Sequence, residues 1–426
     1  MTNDPQATLH VAGDVTARSF GGNWQVATSD VAGEVNRGYI VSGASPVTVT
    51  LPVAPAVGDT FRISGAGSAG WKVAQNDGQR ILTWQLGAHD ALWNARETSR
   101  NWSTIASSSD GTKLVAAVQG GRIYTSSDSG ESWTATCIVP EGAGGCGNGR
   151  WSGVASSADG TKLAAVIGST NDFDRGDEIY VSVDSGVNWD RHGPTAPWAG
   201  IASSADGTRL VAAIYSGLLY TSTDSGHIWS AHTIHENWYG VASSADGTTL
   251  AAVGDDAQIY ISTNSGVNWT RSESRRAWRS IASSADGTRL VAAVEGGRIY
   301  TSTDSGVSWT ARESARPWRS VASSADGTKL VAVVNGGQIY TSIDSGANWV
   351  ALEDSRTWQA VASSSDGAKL AAVVDGGQIY TYAARTTTTT GTPGYITGDQ
   401  YSALEILYIG GGDWVPLSRI GALTPY

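Results

Sequence analysis

The stretch Trp278–Pro317, "WRSIASSADGTRLVAAVEGGRIYTSTDSGVSWTARESARP", decides the fold. Four short runs rich in Ile, Val, Thr and aromatic residues, 279–284, 289–294, 298–303 and 307–313, are separated by three kinds of turn signal. "ADG" is an Asp-Gly hairpin signal, "GG" follows the second run and "DSG" follows the third. Near-copies open at Trp102, Trp151, Trp198, Trp238, Trp318 and Trp358, and the last five of the seven starts are 40 residues apart. A repeat of about 40 residues built from four antiparallel strands is the signature of propeller blades, which hide their sheet edges by radial repetition. The sequence therefore predicts an all-β fold dominated by a seven-bladed β-propeller.

The ends of the repeat array support a closed ring. The seventh unit stops after its third strand at "QIYTYAAR", with no "DSG" and no following Trp. Upstream of the first unit, "ALWNARETSRNW", Ala91–Trp102, aligns without gaps with "VSWTARESARPW", Val307–Trp318. An orphan fourth strand at one end and a missing one at the other predict a blade shared by both.

The pattern SxDxGxxW recurs with Asp128, Asp184, Asp224, Asp304 and Asp344 at its centre, and a variant carries Asn264. This resembles the Asp-box, or BNR, repeat of β-propellers found in sialidases, xyloglucanases, sortilin-type receptors and photosystem assembly factors. The resemblance covers Ala88 to Arg385 and implies a fold rather than one activity, because a fold hosts many functions. Six similar copies around a ring do not make a catalytic pair, which must converge within about 5–10 Å. These side chains are expected to lock tight turns by accepting backbone N–H bonds.

Composition agrees. Fifty-three glycines against one methionine favour many short strands and turns. A net charge of -11 opposes binding to nucleic acid or anionic membranes. No apolar run approaches the roughly 18–20 residues that span a bilayer, and the N-terminus lacks the features of a Sec signal. Residues 39–87 and 386–426 read as two parts of one β module, interrupted by the propeller at 88–385, with 1–38 as an N-terminal extension. The module resembles those of bacteriophage tail-fibre and adhesin-like proteins, and the opening "ATLHVAGDVTARSF" resembles short segments of trimeric phage fibres.

Candidate sites fall on the face opposite the "DSG" turns, where the loops diverge. Two residues before the opening Trp stand Arg100, Arg276, Arg316 and Arg356, at the consecutive junctions of blades 7/1, 4/5, 5/6 and 6/7. With Trp102, Trp278, Trp318 and Trp358, and with Arg279 and Arg319 adding charge, they form a candidate ligand-binding arc. An exposed Trp would stack on a sugar and an Arg fork would hold carboxylate or sulfate. The competing expectation is that each Trp packs between blades and each Arg pairs with Glu273, Glu313 or Glu353.

Three lesser candidates remain. Arg62 in "TFRIS" matches a sialidase arginine motif only in part, lacking its proline and lying outside the propeller. "HTIHE", His232–Glu236, has two histidines without a clear third ligand. Asp172, Asp174, Asp177 and Glu178 lie in a Gly-containing loop that offers calcium oxygen ligands, but a solvated acidic insertion is the preferred reading. Cys137 and Cys146 are close enough in sequence for a local disulfide in an oxidising compartment. The expected partner is a glycan or cell-surface receptor, bound without catalysis or cofactor by a protein at a cell exterior or particle surface. A homo-oligomer is compatible with that. The alternatives are a structural component of a phage or secretion particle docking another protein, and a glycoside hydrolase.

Overall fold

The computed structural model describes residues 23–82, 93–136, 138, 149–168, 178–383, 388, 391–421 and 423–425. Every regular element among them is a β-strand. The chain forms two compact units, one from its two ends and the other from Ala91–Ala384.

The terminal unit has two sheets. One orders Asn23–Ala27, Arg37–Val41, Thr60–Gly65, Ala403–Gly410, Asp413–Ile420 and Arg80–Ile81. The other orders Val31–Ala32, Val47–Thr50, Trp71–Ala74, Tyr395–Gly398 and Leu423–Pro425. Alternating side chains from both sheets, among them Tyr39, Phe61, Trp71 and Trp414, bury one core. The expected boundary after residue 38 is corrected here. Asn23–Ala27 pairs in parallel with Arg37–Val41, so residues from 23 onward are part of the sheet rather than an extension.

The central unit is the predicted ring. In blade 1, Trp102–Ser107, Leu114–Gly121, Ile123–Ser126 and Thr134–Thr136 pair antiparallel in chain order. In blade 7 the fourth strand is Asn94–Arg100, paired antiparallel with Gly377–Ala383 through Tyr380↔Ala95 and Thr381↔Asn94. The first and last parts of the repeat array thus share one sheet.

A second device closes the ring near its axis. At the residue before each Asp-Gly turn, the backbone N–H donates to the carbonyl of the equivalent residue one blade on. The series runs Ser109, Ala158, Ala205, Ala245, Ala285, Ala325, Ser365 and back to Ser109, with every bond at 2.7–2.8 Å.

The apolar runs of the second strands explain how the blades pack. Leu290, Ala292 and Val294 enter a core shared with Val253, Ile259 and Ile261 of the preceding blade. Their neighbours Val291 and Ala293 enter the next core, with Trp318, Val321 and Leu330. Period-2 alternation thus buries both faces of one strand against different blades. Each opening Trp is a keystone of such a core: Trp102, Trp198, Trp238, Trp278, Trp318 and Trp358 are at most 1% exposed and Trp151 3%. Their rings meet tyrosines edge to face, as in Trp278–Tyr300 at 5.2 Å and Trp318–Tyr340 at 5.1 Å.

The SxDxGxxW turns do structural work through both carboxylate oxygens, Asp304 Oδ2 accepting from the Ser308 hydroxyl at 2.6 Å. Asp304 Oδ1 accepts from the Ser302 hydroxyl at 2.8 Å and the Ser308 amide at 2.9 Å, while Trp309 Nε1 donates to the Gly306 carbonyl at 3.2 Å. Hydrogen bonds from the Ser308 side chain and amide hold the Asp304 carboxyl at about 2. Asn264 reproduces the Oδ1 bonds, accepting from the Ser262 hydroxyl at 3.0 Å and the Asn268 amide at 2.8 Å, so an amide substitutes there. Gly306 sits at φ 82°, and a Cβ there would meet Ile261 Cγ1 of the preceding blade at 2.8 Å.

Candidate functional site

The site begins with a backbone irregularity shared by the blades. In blade 5, Trp278 pairs with Val294 and Ser280 with Ala293, so Arg279 is an extra residue in its strand. The same shift follows Trp151, Trp198, Trp238, Trp318 and Trp358. A bulge re-aims the side chain it carries. While the Trp enters an inter-blade core, the residue after it lines a central funnel of about 680 Å³. Around the ring that position reads Ser103, Ser152, Ala199, Tyr239, Arg279, Arg319 and Gln359.

Small side chains on blades 1–3 leave space on one side of the mouth, and large polar ones crowd the other. Inner strands approach closely on the open side because glycine follows. A Cβ on Gly153 would meet Gly200 Cα at 3.2 Å, and one on Gly200 would meet the Tyr239 carbonyl at 3.3 Å.

The crowded side is a connected cluster. The Arg279 guanidinium lies 4.0 Å from the Tyr239 ring centroid, and its Nε is 3.4 Å from Glu295 Oε2. Arg319 Nε donates to Gln359 Oε1 at 2.9 Å. Burial, with Arg279 nearby, pushes the Arg319 guanidinium below its usual range. The rings of Tyr215 and Tyr239 lie 5.7 Å apart, and Tyr239 beside it raises the Tyr215 phenol.

The expected blade-junction arc is corrected by this geometry. Trp102, Trp278, Trp318 and Trp358 offer no stacking face, because each is buried in an inter-blade core. Arg100, Arg276, Arg316 and Arg356 pair with Glu97, Glu273, Glu313 and Glu353 at 3.2–3.7 Å. Each guanidinium also lies 4.6–4.9 Å from the ring centroid of Tyr124, Tyr300, Tyr340 or Tyr380. These arginines brace the junctions. Arg279 and Arg319, read from sequence as part of the same arc, face the funnel instead.

Tyr215, Tyr239 and Gln359 were not singled out from sequence. For Tyr239 and Gln359 the signal lay in the column after the opening Trp, which changes around the ring while the Trp itself repeats.

The lesser candidates resolve locally. Arg62 pairs with Glu405 at 2.7 Å within the terminal unit. His232 Nε2 shares a hydrogen bond with Thr221 Oγ1 at 2.8 Å, and Glu236 accepts from the Tyr260 hydroxyl at 2.9 Å. Among the described residues, no group of three or more His, Cys, Asp or Glu is placed to hold a metal. Glu178 pairs with Arg191 at 2.7 Å. Asp172, Asp174, Asp177, Cys137 and Cys146 lie outside the described residues.

Comparison with solved structures agrees on architecture. A structure described as YCF48 bound to D1 peptide superposes with a TM-score of 0.54 at 15% identity, covering 68% of this chain and 96% of that one. YCF48 from Cyanidioschyzon merolae gives 0.53 at 16% identity, covering 69% and 99%. The fold is a β-propeller. No family model matches the sequence, and no curated protein does.

Proposed function

We propose that this protein is a non-enzymatic recognition propeller that binds a surface glycan in its central funnel. One observation carries the reading: the frame of the blades repeats, whereas the bulge residues at the mouth do not. A position whose backbone is fixed and whose side chain changes around the ring, from serine on blades 1 and 2 to arginine on blades 5 and 6, builds an asymmetric site on a symmetric scaffold. The funnel volume of about 680 Å³ suits an oligosaccharide of a few rings. Hydroxyl, amide, phenol and guanidinium groups from Ser103, Ser152, Gln359, Tyr239 and Arg319 suit hydroxyl-rich ligands.

The Asp-box resemblance of the turns belongs to this reading, as does a fibre- or adhesin-like role for the terminal unit. The protein would then work at a cell exterior or particle surface, where a homo-oligomer would present several funnels and gain avidity.

Screening the whole chain and its Tyr239→Ala variant on a glycan array tests this. Selective retention by the parent and its loss in the variant are expected. Retention of no glycan, or turnover of a labelled oligosaccharide, would contradict it. A second reading is docking of a protein on a phage or secretion particle, motivated by the peptide-bound propeller among the structural neighbours. It predicts capture of peptides at the same mouth.

A further inference from the structure

We infer that the mouth of the funnel holds a carboxylate subsite centred on Arg319, with Arg279 beside it, so that the ligand is an acidic saccharide; the inference rests on the glycan reading above. Arg319 is the pivotal group. Its Nε bonds a neutral amide, Gln359 Oε1, at 2.9 Å. Among the described residues, no carboxylate lies within ion-pair distance of it. A second cation stands on the adjacent blade, where Arg279 has Glu295 as its partner.

Burial and Arg279 disfavour the charged form of Arg319, and together they outweigh Glu295, Tyr239 and Asp375, which favour it. An arriving anion relieves that penalty, and a carboxylate matches the planar guanidinium fork in a way that a point charge does not.

The surrounding groups narrow the class. Asp375 lines the funnel and is exposed, as are Glu295 and Asp255. With the net charge of -11, these solvated carboxylates oppose extended polyanions. A single carboxylate on a hydroxyl-rich body meets Glu295 and Asp375 at Arg319 with less repulsion than an extended polyanion does. Tyr215, 36% exposed, and Tyr239 supply flat faces for a sugar ring next to the arginines. Aliphatic side chains also line the funnel, Val154, Pro197, Ile201, Val241 and Ile281 among them, so a peptide is tested beside the saccharides.

The test is calorimetric titration of the whole chain with a panel of uronic- and sialic-acid oligosaccharides, each beside its carboxyl-reduced counterpart. A peptide with a free C-terminal carboxylate forms a third arm. We expect at least one acidic member to bind about tenfold to a hundredfold tighter than its reduced form. Arg319→Gln should erase that difference while the reduced form still binds. Arg319→Lys should recover only part of it, because the charge returns without the fork.

Equal affinity for acidic and reduced forms would overturn the carboxylate subsite and leave the glycan reading standing. Binding of the peptide alone would overturn both. Binding of no acidic saccharide, while the array retains neutral ones, would overturn the subsite alone. Unfolding of Arg319→Gln, monitored by circular dichroism at the temperature of the titration, would assign Arg319 to the frame and overturn the inference. Arg279→Gln provides an independent check: its acidic preference should shrink but persist.

Discussion

Replacing Trp318 with alanine separates a keystone from a ligand platform. The indole is 0% exposed, packs against Tyr340 at 5.1 Å and donates Nε1 to the Ser314 carbonyl at 3.3 Å. Its core also includes Val321, Leu330 and Ala332, with Val291 and Ala293 from the preceding blade. Deleting a side chain of this size from such a core costs about 3–5 kcal/mol, combining lost burial with a cavity that strands on both sides prevent from collapsing. For a large domain each kcal/mol lowers Tm by about 2–4 °C, so the expected drop is roughly 6–20 °C.

The assay is thermal unfolding by circular dichroism, with glycan binding measured well below the transition. The folded Trp318→Ala protein should retain binding, because its indole does not face the funnel. An unchanged Tm together with abolished binding would refute the reasoning, since that is the behaviour of an exposed stacking face.

Other outcomes follow from the turns. Hydrogen bonds from the neighbouring serine and threonine hold Asp110, Asp159, Asp206 and Asp326 at about 2, and those from Ser132 and Ser308 do the same for Asp128 and Asp304. In the unfolded chain such carboxyls titrate near about 3.9, so between these values the unfolded chain binds more protons. Their stabilisation is complete above about pH 5 and lost as pH falls toward 2. Melts at pH 7, 5, 4, 3 and 2 should show a Tm that falls only below pH 5; a loss confined to pH 7–5 would contradict this. Gly306→Ala should destabilise by about 1–3 kcal/mol through strain, with an added clash on Ile261 Cγ1 at 2.8 Å. Gly296→Ala, at φ 68° with open space around its Cβ, should cost less when both variants are unfolded in urea.

The scaffold was legible because its signals are local and repeated. "ADG" and "DSG" state where each hairpin turns, and "LVAAV" states that the second strand is buried on both faces. The unmatched "ALWNARE" segment states how the ring ends. The site was less legible. Trp278 and Arg279 are adjacent letters, and sequence alone assigned both to a blade junction. A one-residue bulge, invisible in hydrophobic patterning, sends the indole into a core and the guanidinium toward the axis. The arginine two residues before each Trp is equally conspicuous in sequence, yet its glutamate and tyrosine partners make it a brace. Tyr215 reached the funnel from the loop after a second strand, so no fixed spacing linked it to Tyr239 before the fold was in hand.

The most direct test of funnel recognition is a crystal structure of the whole chain with the tightest acidic oligosaccharide from the titration panel. The sugar is predicted in the central mouth, its carboxylate on the Arg319 guanidinium and a ring against Tyr215 or Tyr239. Density for the sugar beside Arg316 and Tyr340 at the blade junctions, with the funnel empty, would contradict the account.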